Sequence, residues 1–169
     1  DANGPGLAAL VAMCGGVARA LPFARDDRDA TRAAIAGALE GSDLVLTVGG
    51  VSVGDHDVVR AAMEDAGVSL DFWKVAIKPG KPLCVGRAGR ARVLGLPGNP
   101  SSATLTFVLF GAPMLRALQG DRVIGPPAVE AEAVLRAARG ADKALITEVT
   151  LFDLSEGPKA EAQMGPGKK

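Results

Sequence analysis

The residues best suited to chemistry occupy a loop between an apolar run, Leu44–Val48, and an amphipathic helix that begins at Val58. Glycines in such a loop let backbone N–H groups approach an anion, and the N-terminus of the following helix adds a favourable dipole. The candidate ligand-binding residues of the loop are Gly49, Gly50, Val51, Ser52 and Gly54, followed by the carboxylates of Asp55 and Asp57. We therefore predict an anion-binding site here. The alternatives are a plain turn for the glycines and helix capping for Asp55.

A second candidate group is a set of lysines at the end of a predicted strand, Lys74, Lys78 and Lys81. Lys78 and Lys81 flank a rigid Pro-Gly turn, and cations fixed in this way stabilise anionic oxygens without reorganising. Solvated surface charge, the usual state of lysine, is the alternative for all three.

A third candidate is the stiff loop formed by Pro97, Gly98 and Asn99 just before a predicted helix. A loop at a helix N-terminus is suited to recognising an anion or an amide. The alternative for Asn99 is an Asx-turn, in which the side chain bonds to its own backbone.

These groups need a scaffold that brings the ends of several strands together. Residues 43–82 have the pattern strand, glycine loop, helix, strand and lysine loop, which is the size of one βαβ unit. In such units the loops after the carboxyl ends of the strands carry the ligand. We therefore predict an α/β domain over residues 1–121 and a partial small β domain over residues 122–169.

The remaining elements are predicted from hydrophobic periodicity and from glycine and proline punctuation. Helices are expected at about 7–14, 29–40 and 103–118, the last capped by Ser101 or Ser102 and interrupted at Gly111 and Pro113. Strands are expected at 18–23, 44–48, 69–76, 82–86 and 91–96, of which the last two form a hairpin. Strands of the smaller domain are expected at 129–135, 144–152 and 159–164.

Composition excludes several classes of function. Nineteen basic and 19 acidic residues give zero formal charge, so no electrostatic argument favours nucleic acid or membrane partners. The apolar runs are too short and too interrupted to span a bilayer. Cys14, Cys84 and His56 are the only cysteines and histidine, too few for a zinc site. Two thiols so far apart are typical of a reduced, cytoplasmic protein.

Three segments together carry a resemblance: TVGGVSVGDHD at 47–57, FWKVAIKPGKP at 72–82 and GLPGNPSS at 95–102. They closely resemble the molybdopterin molybdenumtransferases, which are the MoeA proteins and the E domain of gephyrin. The resemblance covers residues 1 to about 120 and implies a three-layer α/β fold with a mainly parallel sheet. It also implies a cytosolic homodimer that inserts molybdate into adenylylated molybdopterin and releases AMP, assisted by Mg²⁺.

The resemblance also assigns roles to the candidate residues. It implies four catalytic residues: Asp55, Asp57, Lys78 and Lys81. The two aspartates hold Mg²⁺, an ion that prefers carboxylate oxygens. Cofactor contacts are implied for the glycine loop, for Lys74, for the loop 97–99 and for Asp26, which matches a family aspartate. Helix N-capping is the alternative for Asp26.

Related activities on the same core differ in these loops. Molybdopterin adenylyltransferases normally carry Gly-Gly-Thr-Gly, and CinA-type proteins carry Gly-Gly-Leu-Gly-Pro; neither pattern occurs here. The alternatives to the transferase are an adenylyltransferase-like nucleotide-binding domain and a non-catalytic scaffold of the gephyrin type.

The sequence also departs from the family pattern. Valine stands at position 48, where serine is usual, and Asp1-Ala2-Asn3 stands where Asp-Ser-Asn is usual. The family's first strand with its acidic loop, its two preceding domains and a serine-containing motif of the β tail are not in the sequence. We therefore expect a partial chain that self-associates and transfers little molybdenum alone.

Overall fold

The computed structural model describes residues 3–24, 27–50, 58–78, 80–122 and 125, together with short strands between 132 and 162. Contacts divide the chain into two compact units, Asp1–Val75 with Gly80–Pro126, and Ala76–Pro79 with Pro127–Lys169. The domain division predicted at residues 121 and 122 stays a prediction.

The first unit contains helices and strands that alternate along the chain. Its helices are α1 (Gly4–Met13), α2 (Arg28–Leu39), α3 (Val58–Asp65), α4 (Pro100–Thr106) and α5 (Ala112–Leu118), with a π-helical turn at Phe107–Gly111 between the last two. Its strands are β1 (Leu44–Val48), β2 (Ser69–Trp73), β4 (Cys84–Ala88) and β5 (Ala91–Leu96). These bounds agree closely with the helices predicted around 7–14 and 29–40 and with the strand at 44–48.

The four strands form one mixed sheet in the order β1-β5-β4-β2. β1 pairs with β5 in parallel, whereas β4 pairs antiparallel with both β5 and β2. β1, β5 and β2 therefore run in one direction and β4 alone is reversed. The α/β class is confirmed. Two of the three pairings are antiparallel, however, because the two strands of the predicted β4–β5 hairpin are the central strands of the sheet.

Helices cover both faces of this sheet and make three layers. One hydrophobic cluster joins α1 and the α4–α5 arm to the sheet, through Leu7, Val11, Leu83, Val85, Leu94, Leu96, Ala103, Phe107 and Ala112. The other joins α2 and α3 to the opposite face, through Ile35, Val45, Ala62, Met63, Val68, Cys84 and Val93. Val93 and Leu94 enter different clusters because successive side chains of a strand point to opposite faces. An ion pair between Arg28 and Asp65, 2.6 Å long, joins α2 to α3 and lowers the pKa of the Asp65 carboxyl.

The stretch Pro100–Leu118 is long and apolar enough to cross a membrane by length and composition, with a mean hydropathy of 1.3. The expectation that no run reaches this length was therefore wrong. A core helix of a soluble protein passes the same test, and Ala103, Phe107 and Ala112 of this stretch are buried against the sheet. The predicted interruption is present as the π-helical turn, which ends at Gly111.

The strand predicted at 18–23 is absent, since these described residues form no ladder. Val17 and Phe23 are 98% and 90% exposed. The guanidinium of Arg19 donates to the carbonyls of Gly37 and Glu40, at 3.3 and 2.9 Å, and so ties the segment to the end of α2. Residues with strand propensity need a neighbouring strand, and none of the described strands pairs with this segment.

The second unit is a set of short strands. β3 (Ile77–Lys78) pairs in parallel with β7 (Ala144–Leu145). β9 (Lys159–Ala162) pairs in parallel with β6 (Glu132–Ala133) and antiparallel with β8 (Val149–Phe152). Each lies within a segment predicted to contain strand, apart from β3, which the sequence analysis assigned to the lysine loop.

We predict opposite effects for two glycine-to-alanine changes in helical segments. Gly111→Ala places a methyl group 2.6 Å from Cδ2 of the fully buried Phe107, and should lower the free energy of unfolding by roughly 1–3 kcal/mol. Gly37→Ala in α2 meets no atom within 4 Å and should raise it by roughly 0.5–1 kcal/mol. Urea unfolding followed by circular dichroism measures both. Equal effects would show that the contact with Phe107 does not constrain the helix.

Candidate functional site

The candidate site lies along one edge of the four-stranded sheet. A row of register partners crosses this edge, from Thr47 of β1 through Gly95 and Cys84 to Trp73 of β2. β1, β5 and β2 end within one residue of this row, and β4 begins at it. Neighbouring strands are about 4.8 Å apart, so the row is roughly 14 Å wide. Three connections therefore lie side by side at this end of the sheet: the one after β1, the one from β2 to β4 and the one after β5. This is the arrangement predicted from the sequence.

The glycine loop begins where β1 ends. Gly49 and Gly50 both adopt left-handed backbone, with φ of 79° and 71°, a region that a Cβ disfavours. The N–H of Gly49 donates to the carbonyl of Leu96 at 3.0 Å and ties the turn to the end of β5. A Cβ on Gly50 would collide with Cγ2 of Val59 on α3. The two glycines therefore serve the turn, and their contact with a ligand stays a prediction.

The loop 97–99 lies directly against this turn. A Cβ built on Gly98 would stand 3.4 Å from the Cα of Gly49, so the two loops lie close together. The side-chain oxygen of Asn99 accepts the N–H of Ser102 at 3.2 Å and the hydroxyl of Ser101 at 2.7 Å. Asn99 is thus the N-cap of α4, and the prediction that Ser101 or Ser102 caps the helix was wrong. Proline at the next position favours this, because proline is preferred at the first helical residue.

Lys74 and Lys81 lie in adjacent segments at the same edge. The N–H of Lys74 donates to the carbonyl of Leu83 at 2.7 Å, and the N–H of Val75 to that of Lys81 at 3.0 Å. Lys74 has a φ of 75°, a left-handed conformation that is uncommon outside glycine. Strained backbone of this kind clusters at functional sites. Both lysines are exposed. No described residue forms an ion pair with either, which leaves both charges available to an anionic ligand.

Several predicted site residues lie outside the described residues: Asp26, Val51, Ser52, Gly54, Asp55 and Asp57. Lys78 is described only as part of β3, which belongs to the second unit. Within the described part of the chain, no group of three or more His, Cys, Asp and Glu side chains is placed to hold a metal ion. The catalytic and metal-binding assignments therefore stay predictions.

Asn3 joins the site although it is not among the predicted site residues. Its Nδ2 donates to the carbonyl of Gly98 at 2.9 Å. Asparagine just before a helix is typical of an N-cap, and that local pattern gives no sign of a partner 95 residues away. A cavity of about 580 Å³ lies elsewhere, between residues 21–24 and α2, and no described site residue lines it.

Comparison with known proteins identifies the family. Residues 1–117 match the family described as the probable molybdopterin binding domain. The chain belongs to this family. The resemblance drawn from the three sequence segments is therefore confirmed.

Relatives of this molybdopterin binding domain are longer proteins. A molybdopterin molybdenumtransferase of Haemophilus influenzae is 49% identical over 81 residues, which is 48% of this chain and 20% of that protein. One of Bacillus subtilis is 38% identical over 110 residues, 65% of this chain and 25% of that protein. A solved molybdopterin biosynthesis moeA protein of Pyrococcus horikosii, 32% identical, superposes with a TM-score of 0.61 over 69% of this chain and 28% of its own. The chain therefore spans only 20–28% of the lengths of these three proteins.

We predict that Gly50→Ala destabilises the molybdopterin binding domain partly through Val59. Left-handed backbone disfavours alanine by roughly 1–2 kcal/mol, and the collision with Val59 adds roughly 1–3 kcal/mol. Val59→Ala should recover the second part, giving a coupling free energy of about 1 kcal/mol or more in a double-mutant cycle measured by urea unfolding.

Gly67→Ala is the matched control for this cycle. Gly67 has a φ of 83° but no atom within 4 Å of its Cβ position. The loss of stability in Gly67→Ala should therefore not couple to Val59→Ala. Additive effects of Gly50→Ala and Val59→Ala would contradict the packing of the glycine turn against α3.

Proposed function

We propose that this chain is the molybdopterin-binding part of a molybdenumtransferase, which inserts molybdate into adenylylated molybdopterin and releases AMP in molybdenum cofactor biosynthesis. The observation that carries the proposal is the meeting of the glycine turn 49–50 with the loop 97–99 at the carboxyl ends of β1 and β5. Ligands of open α/β sheets bind outside the carboxyl ends of the strands. The proposal includes a homodimer and a cytoplasmic location.

Charge at the same edge supports an anionic substrate. Molybdate and the phosphates of adenylylated molybdopterin are anions, and Lys74 and Lys81 are exposed cations with no ion-pair partner among the described residues. The hydrogen bonds that hold their backbones fix where the two side chains begin. Charges held in place before the ligand arrives bind it without a reorganisation penalty. Lys78, which the resemblance implies is catalytic, remains part of the proposal on the sequence alone.

Mg²⁺ is part of the proposal. Asp55 and Asp57 would hold it, because two carboxylates directly after a glycine turn offer the hard oxygen ligands that this ion prefers. When bound, the ion would neutralise the charge that builds up where two anionic substrates meet. The protein's own part is to bind both substrates and to orient them at the sheet edge.

The rival function is that of a non-catalytic scaffold. A scaffold needs no free cations at this edge and no carboxylates after the glycine turn. Lys74 and Lys81 support the enzyme because they lie at the strand ends where a substrate would bind, and neither pairs with a described residue. Binding of a peptide without affinity for AMP or molybdate would favour the scaffold instead.

We predict that Asp55→Asn and Asp57→Asn abolish the gain in AMP affinity that Mg²⁺ gives, and do not weaken the affinity without Mg²⁺. Lys81→Ala should weaken AMP binding with and without Mg²⁺ by about one to two orders of magnitude, the usual effect of one hydrogen bond to a charged group. Calorimetric titration of the 169-residue chain with AMP and molybdate measures these affinities.

Two variants serve as matched controls for that titration. Arg90→Ala removes an exposed cation from the β4–β5 turn, at the opposite end of the strands. Glu64→Gln removes a carboxylate from the far end of α3, where its pair with Arg60 is solvent-exposed and contributes little. Both should bind AMP like the unaltered chain. If the controls lose as much affinity as the site variants, binding is unspecific and the proposal fails.

A further inference from the structure

We infer that Asn3 is a positioning residue, whose amide holds the Gly98–Asn99 peptide group in the orientation that binds an anionic oxygen. The inference rests on the proposed function for the identity of the ligand. The orientation itself depends only on contacts within the first unit.

Asn3 occupies an N-cap position without capping its helix. Two other N-cap side chains accept a backbone N–H, that of Asp27 from Ala30 at 2.8 Å and that of Asn99 from Ser102 at 3.2 Å. The side chain of Asn3 makes no such bond to α1. Its Nδ2 instead donates to the carbonyl of Gly98 at 2.9 Å. The side chain therefore acts on the loop 97–99 and not on its own helix.

The bond to Gly98 sets the direction of the next N–H. A peptide group is planar and trans, so its carbonyl and its N–H point in opposite directions. With the carbonyl of Gly98 held towards Asn3, the N–H of Asn99 is directed to the opposite side. Among the described residues, no group accepts a hydrogen bond from this N–H. It is an exposed donor of fixed direction beside the glycine turn.

Glycine at position 98 makes this restraint necessary. Without a Cβ the backbone of Gly98 is free to take several conformations, and its contact with Gly49 adds packing but no hydrogen bond of its own. Loss of the Asn3 amide would let the 98–99 peptide group rotate, so only a fraction of molecules would present the N–H. The apparent affinity for the ligand falls by that fraction.

The chain offers a matched control at the other end of the same helix. Nε2 of Gln119 donates to the carbonyl of Cys14, the C-cap of α1, at 2.8 Å. Asn3 and Gln119 thus make the same kind of hydrogen bond, from a side-chain amide to a backbone carbonyl. One bond links the start of α1 to the loop before α4, and the other links the end of α1 to the residue after α5. Only the bond of Asn3 touches the loop 97–99. A purely structural role would give Asn3→Ala and Gln119→Ala the same consequences.

The experiment compares Asn3→Ala, Asn3→Asp and Gln119→Ala in the 169-residue chain. Asn3→Asp keeps the shape of the side chain and replaces the donor with a charged acceptor, so it removes the hydrogen bond and also adds a negative charge near the anionic ligand. We expect Asn3→Ala to weaken binding of adenylylated molybdopterin about fivefold, the usual effect of one neutral hydrogen bond. Asn3→Asp should weaken it further, because its charge repels the anionic ligand. Gln119→Ala should lower the melting temperature about as much as Asn3→Ala does, and should leave the affinity unchanged.

Nuclear magnetic resonance of the unliganded chain tests the positioning role of Asn3 separately from the proposed function. The amide resonance of Asn99 should shift in both Asn3 variants and stay in place in Gln119→Ala. An unchanged Asn99 amide, or equal losses of affinity in Asn3→Ala and Gln119→Ala, overturns the inference. If the unaltered chain binds no adenylylated molybdopterin while the Asn99 amide responds as expected, the proposed function fails and the positioning role stands.

Discussion

The parallel pairing of β1 with β5 is the interaction on which the site depends. Its register sets Val48 opposite Leu96, so the two strands end level and their loops emerge together. The N–H of Gly49 then bonds to the carbonyl of Leu96, and Gly98 lies close to Gly49. A shift by one residue would reverse the side chains of β1 between the two cores and separate the glycines. Fold and site are therefore fixed by the same register.

The surroundings of this edge show why it suits an anionic ligand. The described ion pairs, such as those of Arg28 and Arg60, lie on helices or beside the β2–β4 ladder and neutralise surface charge there. The two lysines at the edge have no such partner in the described structure. Lys74 also holds a strained backbone, and strain of this kind persists only where the surrounding contacts enforce it. Hydrogen bonds to Leu83 and Lys81 supply that enforcement.

Sequence patterns predicted the parts of this structure that depend on local periodicity. Spacing and turn residues predicted the strand 44–48, the apolar face of α3 and the β4–β5 hairpin. They also predicted the edge of the sheet at which the candidate loops meet. The segment 18–23 failed because strand propensity forms no strand without a partner. The cap of α4 was misassigned because Ser101, Ser102 and Asn99 are all good capping residues. The place of Asn3 in the site was not predicted, because its partner Gly98 is remote in sequence.

The central claim is that an anionic substrate binds where the glycine turn, the loop 97–99 and the lysines meet. Mapping amide chemical-shift changes during titration of ¹⁵N-labelled chain with adenylylated molybdopterin tests it most directly. The account predicts changes at Gly49, Gly50, Lys74, Lys81 and Asn99, and none at the β4–β5 turn. Changes confined to residues 21–24 and α2, which line the separate cavity, would contradict it.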